Sequence, residues 1–282
     1  MSIQQELLKE VKNMLDLSSE FFYGCGGIGD LLMIINKMKN NHIDNKKLVF
    51  FCPNEKYAKS SNELAILNNI NIETRIQGNI NDPNYDILKI KEKRNIITTC
   101  WNGDISNDEI MLKTFDSDMI SISDNLIICG KIPDLIIDEP YMMLQLDAGF
   151  MYHSSKKHWK NIDFVLRFFE KICKKFLLKC VIFGLELNEI LPNYTLQNNF
   201  INCPNTGFRF IEYLKKSKFS VCLSGIGALS SLMLEVPTIW KREGDKIFSN
   251  YYAHPKWKNR MFEIQEIIDD KDEIIKFIER HI

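Results

Sequence analysis

An α/β fold built on parallel sheets is what this sequence predicts, and three features predict it. Short apolar runs rich in β-branched and aromatic residues alternate with longer stretches of helical period. A glycine-rich turn joins one such run to a helix. The alternation then pauses at GKIPDLIIDEP, residues 130 to 140, where two prolines and an acidic cluster intervene, and starts again at Tyr141. With 282 residues, the chain is long enough for two ordinary domains with cores of their own. The expected division is 1–138 and 139–282, with the last helix free to pack back on the first domain.

Each element follows from its residues. The N-terminal MSIQQELLKEVKNML reads as a mixed-charge amphipathic helix, and it lacks the continuous apolar stretch of a signal peptide. EFFYG is the first strand, and the helix DLLMIINKMK follows with Leu31, Ile34 or Ile35 and Met38 on one stripe. Further strands are expected at KLVFF (47–51), RNIITTCW (94–101), YMMLQL (141–146), LLKCVIFG (177–184), FINC (200–203), FSVCLSG (219–225) and PTIW (237–240). Between the third and fourth of these lies a helix with Ile162, Val165, Phe169, Ile172 and Phe176 on one face. The tail MFEIQEIIDDKDEIIKFIERHI reads as a helix pair or one kinked helix.

Composition removes several function classes. Lysine plus arginine (36) balances aspartate plus glutamate (37), without the basic footprint of a nucleic-acid binder. The eight cysteines are scattered, with no pair at zinc-ligand spacing, and most sit in apolar runs. They read as reduced core thiols of a cytoplasmic protein. No run of 18 apolar residues could cross a bilayer, so any membrane contact is expected to be peripheral.

The first strand and helix enclose Gly24, Gly26 and Gly29, a GxGxxG spacing. Such a turn frees backbone N–H groups beside a helix N-terminus, which favours an anion. An NAD-binding oxidoreductase would use it this way, but it also needs an acid at the end of the second strand to hold a ribose. That strand ends in Cys52, Pro53 and Asn54, with Glu55 past the proline. Asp30, at the tip of the turn, is either a helix N-cap or a functional carboxylate.

The second segment of interest is YMMLQLDAGFMYHSSKKHWKNIDFVLRFFEKI. Ser154, Ser155, Lys156, Lys157 and Trp159 crowd the turn that opens its helix. Hydroxyl donors, a point cation and a helix N-terminus are an inventory suited to a diphosphate, and equally to a solvated polar loop.

Here the sequence resembles a family. GIGDLLMIINKM is similar to the Gly-Asp opening of the bacterial ADP-heptose:lipopolysaccharide heptosyltransferases, glycosyltransferase family nine. SSKKHW resembles their donor loop, a hydroxyl pair followed by Lys-His-Trp; VIFGLELNE resembles the next strand and its glutamate. FINCPNTGFRFIEYLKKSKFSVCLSGIGALSSLMLEVPTIW resembles their last stretch. The resemblance implies a GT-B architecture: two Rossmann-like domains facing across a cleft, with a nucleotide-sugar donor on the C-terminal one.

It also implies inverting transfer to a surface-glycan or glycolipid acceptor, in lipopolysaccharide or capsule synthesis, without metal or cofactor. Asp30 would be the general base, beside the acceptor-side loop of Gly26, Gly27 and Gly29. Lys157 would neutralise the departing diphosphate, with Ser154, Ser155, Glu186, Ser224, Gly225 and Gly227 on the donor. The chain departs from the family at Leu223 and Ala228, where members carry aspartate and histidine. A nucleotide-sugar epimerase of similar fold is an alternative, as is the oxidoreductase.

Other matches are weaker. Asp116 to Asp118 imitate a metal-binding DxD, and His158 could touch phosphate or simply pack. Tyr251, Tyr252 and Trp257 could stack on a base or sugar, and Lys241 and Arg242 follow PTIW where a parallel sheet meets anions.

Overall fold

The computed structural model describes residues 15–77, 90–91, 95–97, 123–128, 137–148, 157–184, 191, 194, 196–203, 210–223, 225–241 and 259–282. Among the calls made above, the N-terminal helix, Asp116 to Asp118, Ser154, Ser155, Lys156, Glu186, Ser224, Arg242, Tyr251, Tyr252 and Trp257 lie outside these residues. The described residues up to Ile127 form one compact unit, and those from Ile128 onward form another.

The first unit runs β1 (Phe21–Cys25), α1 (Ile28–Asn40), β2 (Lys47–Cys52), α2 (Glu55–Leu67) and β3 (Asn71–Ile76). Its strands are parallel in the order β1-β2-β3. Leu48 and Phe50 point to one face of β2 and Val49 and Phe51 to the other, and all four are buried. A strand covered on both faces reads as an unbroken apolar run. β1 is not an edge: Tyr23 also bridges in parallel to Ile96, and Ile97 N–H donates to the Tyr23 carbonyl at 2.8 Å. Ile96 shares a buried cluster with Val49 and Phe51; of the expected strand at 94–101 only residues 95–97 are described, and they contribute this single bridge.

α2 begins at an Asn54 cap, whose Oδ1 accepts the Tyr57 N–H at 3.2 Å. Asn36 of α1 is fully buried and its Oδ1 accepts the Ser123 N–H at 2.9 Å. Asn68 binds Ile127 through both ends of its amide. These two asparagines fasten later chain to α1 and α2.

The second unit contains β4 (Tyr141–Gln145), β5 (Asp147–Ala148), β6 (Lys157–His158), α3 (Ile162–Phe176), β7 (Lys179–Phe183), β8 (Phe200–Asn202), α4 (Phe210–Leu214), β9 (Ser220–Leu223), α5 (Ile226–Met233), β10 (Thr238–Lys241), β11 (Met261–Ile264) and α6 (Lys271–Glu279). β5 and β6 form a small antiparallel pair. The other six strands make one sheet, every pairing parallel, in the order β8-β7-β4-β9-β10-β11. In order of appearance these are the third, second, first, fourth, fifth and sixth strands, the doubly wound Rossmann arrangement. The chain therefore reverses direction across the sheet between β4 and β9.

Helices cover both faces. Val165, Phe169 and Ile172 of α3 and Ile274, Phe277 and Ile278 of α6 pack in one core with Leu144, Ile182, Val221 and Ile239. On the opposite face, Ser231 of α5 meets Ser220 and Cys222 of β9. α3 starts at an Asn161 cap, whose Oδ1 accepts the Phe164 N–H at 3.0 Å, and ends at Leu177 in the left-handed conformation.

The tail differs from the expectation. Met261–Ile264 is a strand that pairs with β10, and only Lys271–Glu279 is helical. Four residues are too few to show a strand's period, and the isoleucines that follow mimic helical spacing. The six described cysteines, at 25, 52, 173, 180, 203 and 222, are free thiols as expected.

Candidate functional site

Parallel sheets present ligands at the carboxyl ends of their strands, above all where the winding reverses. Two turns occupy such places here, one in each unit.

In the first unit, β1 ends at Cys25 and the chain turns through Gly26 at φ +136°, a conformation that glycine adopts without a Cβ penalty. Gly26 N–H donates to the Phe51 carbonyl at 3.0 Å, which ties the turn to β2. Gly27 is the N-cap of α1, and Gly29 lies in its first turn. Asp30 is therefore not the cap itself. It is the third residue of the helix, and its Oδ2 accepts the Gly27 N–H at 2.8 Å.

A carboxylate here complements the helix dipole, which explains how Asp30 can be 9% exposed. Its charge is felt nearby. Burial raises the pKa of the Tyr57 phenol above its usual 10.0, and the charge of Asp30 adds to the rise. Glu55, the acid weighed for a ribose, stands exposed in the first turn of α2.

In the second unit, the reversal between β4 and β9 is flanked by Gln145 at the end of β4, Leu223 at the end of β9 and the start of α5. Gly225 is the N-cap of α5, at φ +128°. Among the described residues, no atom lies within 4 Å of where a Cβ on Gly225 would stand. Gly227 is the opposite case, because a Cβ there would lie 2.6 Å from Gln145 Oε1. A buried hydroxyl chain holds α5 down: Ser231 Oγ donates to the Gly227 carbonyl at 2.8 Å, and Ser220 Oγ donates to Ser231 Oγ at 2.9 Å. Thr238 Oγ1 lies 3.1 Å from Ser220 Oγ.

Of the Lys157-His158-Trp159 motif, the backbone places Lys157 opposite Ala148 and His158 opposite Asp147. Trp159 is 1% exposed. Its indole Nε1 donates to the Gln145 carbonyl at 2.7 Å, and Lys241 Nζ sits 5.2 Å from the ring centroid. Trp159 thus pins the residues after β6 to the ends of β4 and β10. Lys241 does not wait for an anionic ligand with an unmatched charge, because its ammonium forms a buried ion pair with Glu266 at 2.7 Å.

Sequence reading missed Gln145, Asp147 and Glu266, all buried at this edge of the sheet. The available signal was a polar residue, Gln145, closing a strand whose five residues are all buried. The structure brings Gly26, Gly27, Gly29 and Asp30 together in one turn. Gly225 and Gly227 share another with the end of β9. Among the described residues, no group of three or more His, Cys, Asp or Glu could hold a metal ion. No described helix is long and apolar enough to cross a membrane.

No family model matches the chain, and no curated protein matches it. Solved structures do. A family 9 glycosyltransferase from Veillonella parvula is 10% identical, over 95% of this chain and 92% of its own, with a TM-score of 0.47. The E. coli heptosyltransferase WaaC, with ADP-2-deoxy-2-fluoro heptose, is 10% identical over 93% of this chain and 100% of its own, at 0.47. The UDP-GlcNAc 2-epimerase from Neisseria meningitidis, bound to UDP-GlcNAc, is 11% identical over 93% and 92%, at 0.48.

Proposed function

We propose that this chain is a metal-independent, inverting glycosyltransferase that moves a sugar from a nucleotide-diphosphate donor to a glycan or glycolipid acceptor. One observation carries the reading. In the second unit the doubly wound order puts Gly225 and Gly227, at the start of α5, beside the reversal between β4 and β9. That is the place where such sheets hold nucleotides.

The acceptor hydroxyl oxygen bonds to the anomeric carbon while the bond from that carbon to the diphosphate oxygen breaks, and the diphosphate leaves with the electron pair. Asp30 takes the hydroxyl proton, its orientation set by the Gly27 N–H. Lys157 and the amides of Ser224, Gly225 and Gly227 stabilise the leaving group's charge, with Ser154 and Ser155 as hydroxyl donors and Glu186 on the donor ribose. Fixed dipoles and an ammonium supply what a metal ion supplies elsewhere.

A thermal-shift panel of ADP, GDP, UDP, CMP, nucleotide sugars and NAD tests the reading, since a ligand that binds only the folded state raises its stability. A nucleoside diphosphate and its sugar should both stabilise the protein. Stabilisation by NAD alone would establish the oxidoreductase instead, and conversion of UDP-GlcNAc without any acceptor would establish the epimerase.

A further inference from the structure

β4 and β9 pair only at Met143 with Ser220 and Leu144 with Val221. Past these residues the Gln145 side chain spans the opening. Its Oε1 accepts the Leu223 N–H at 3.1 Å, and its Nε2 donates to the Asp147 carbonyl at 3.2 Å. A Cβ on Gly227 would lie 2.6 Å from the same Oε1 and 3.4 Å from the Phe183 ring. The main-chain carbonyl of Gln145 accepts from Trp159. One residue, 6% exposed, thus touches the end of β9, the start of α5, β5 and the indole after β6.

We propose that Gln145 is a positioning and charge-selecting residue of the donor site. Its carboxamide sets the spacing between the end of β4 and the start of α5, and it keeps that spot neutral so that the crevice accepts a diphosphate. The inference rests on the nucleotide-diphosphate reading above. Glutamate would have the same shape but would place a negative charge against Gly227, beneath the amides that a diphosphate needs. Methionine would have similar length but would leave the Leu223 N–H and the Asp147 carbonyl without this partner.

The full-length protein, Gln145→Met and Gln145→Glu are titrated calorimetrically with UDP, ADP, GDP and CDP, and with the matching nucleosides. Circular dichroism monitors folding. Gln145→Met should weaken the nucleoside diphosphate that the wild type binds by about tenfold, with the nucleoside little changed. Gln145→Glu should lose more at neutral pH and recover towards wild type at about pH 5, because a protonated carboxyl again offers one C=O acceptor and one donor.

Asp147 on β5, Lys157 and His158 on the β6 strand paired with it, Cys222 on β9 and the Lys241–Glu266 pair across Trp159 are the other titratable groups on the described elements at this edge. They, and the ligand's phosphate, are common to all three proteins, so the wild-type pH profile is the baseline. A merely structural role would weaken diphosphate and nucleoside together and would show no recovery in acid. If Gln145→Glu does not fold, Gln145→Met decides. Wild-type-like diphosphate binding by Gln145→Met, or equal loss of nucleoside and diphosphate, overturns the inference while the nucleotide reading stands. A wild type that binds none of the four diphosphates removes both.

Discussion

The carboxylate of Asp30 stands where a side chain on Gly26 would have to go: a Cβ there would lie 2.5 Å from it. The two residues are therefore coupled through one small volume. Gly26→Ala should cost about 2–4 kcal/mol, from the positive φ and from displacing the carboxylate. In an Asp30→Ala background the two carboxylate contacts are gone while the contact with the residue-30 Cβ, 2.6 Å, and the backbone strain remain, so the double variant should be more stable than the sum of the singles predicts, though only by the carboxylate's share. A urea-denaturation double-mutant cycle measures this, and strict additivity would mean that the two residues do not share the space.

Asp30→Asn separates the scaffold from the chemistry. The amide oxygen of asparagine still accepts the Gly27 N–H, so the stability should fall by no more than about 1 kcal/mol. It cannot take a proton, so transfer should drop by about 10²–10⁴-fold. Single-turnover transfer from the donor that the binding panel identifies reads the second number, and thermal unfolding reads the first. A variant that is stable and still active would leave Asp30 as the turn's anchor and nothing more.

How far the sequence discloses these features follows from their range. The β1 turn is local: glycine spacing and an acid in the first turn of a helix show it directly. The tight apolar runs of β2, β4 and β9 are legible because strands buried on both faces admit few polar residues. β3 is less legible because it is paired with β2, its residues are mostly polar and half-exposed, and Glu73 pairs with Lys47 and Arg75. The position of the reversal between β4 and β9 is not local at all, since strand order depends on pairings between distant segments. For the same reason Lys241 reads as an available cation until Glu266, from beyond the next strand, is placed against it. Trp159 reads as part of a polar ligand loop, but its ring is in the core and its N–H is committed to Gln145.

Four groups in the second unit bear on its behaviour in base, one of them the Cys180 thiol, which burial raises well above its usual 9.0. Burial pushes the Tyr141 phenol up from 10.0 to about 12, and it pushes the thiols of Cys203 and Cys222 from 9.0 to about 12. The folded state holds these protons more tightly than the unfolded chain does, so between about pH 9 and 12 the unfolded state binds fewer. Stability should be level up to about pH 8.5 and then fall, each group adding a slope of up to about 1.4 kcal/mol per pH unit. Thermal midpoints across this range check it, and Cys203→Ala with Cys222→Ala should flatten the decline. An alkaline limb unchanged by both substitutions would assign the loss to other groups.

The Lys241–Glu266 pair gives the sharpest test of how the crevice edge is held. Both side chains are about nine-tenths buried, and the ammonium also faces the Trp159 ring. Glu266→Gln removes the carboxylate that balances a buried positive charge and should cost up to about 3–5 kcal/mol. Adding Lys241→Met removes that charge and replaces it with an apolar chain of similar length, so the double variant should recover most of the loss, leaving about 1–2 kcal/mol from the missing contact with the indole. Urea denaturation followed by tryptophan fluorescence reports both quantities, since Trp159 sits beside the pair. If Glu266→Gln alone is nearly silent, water reaches the ammonium in solution, and Trp159 is held chiefly by its bond to the Gln145 carbonyl.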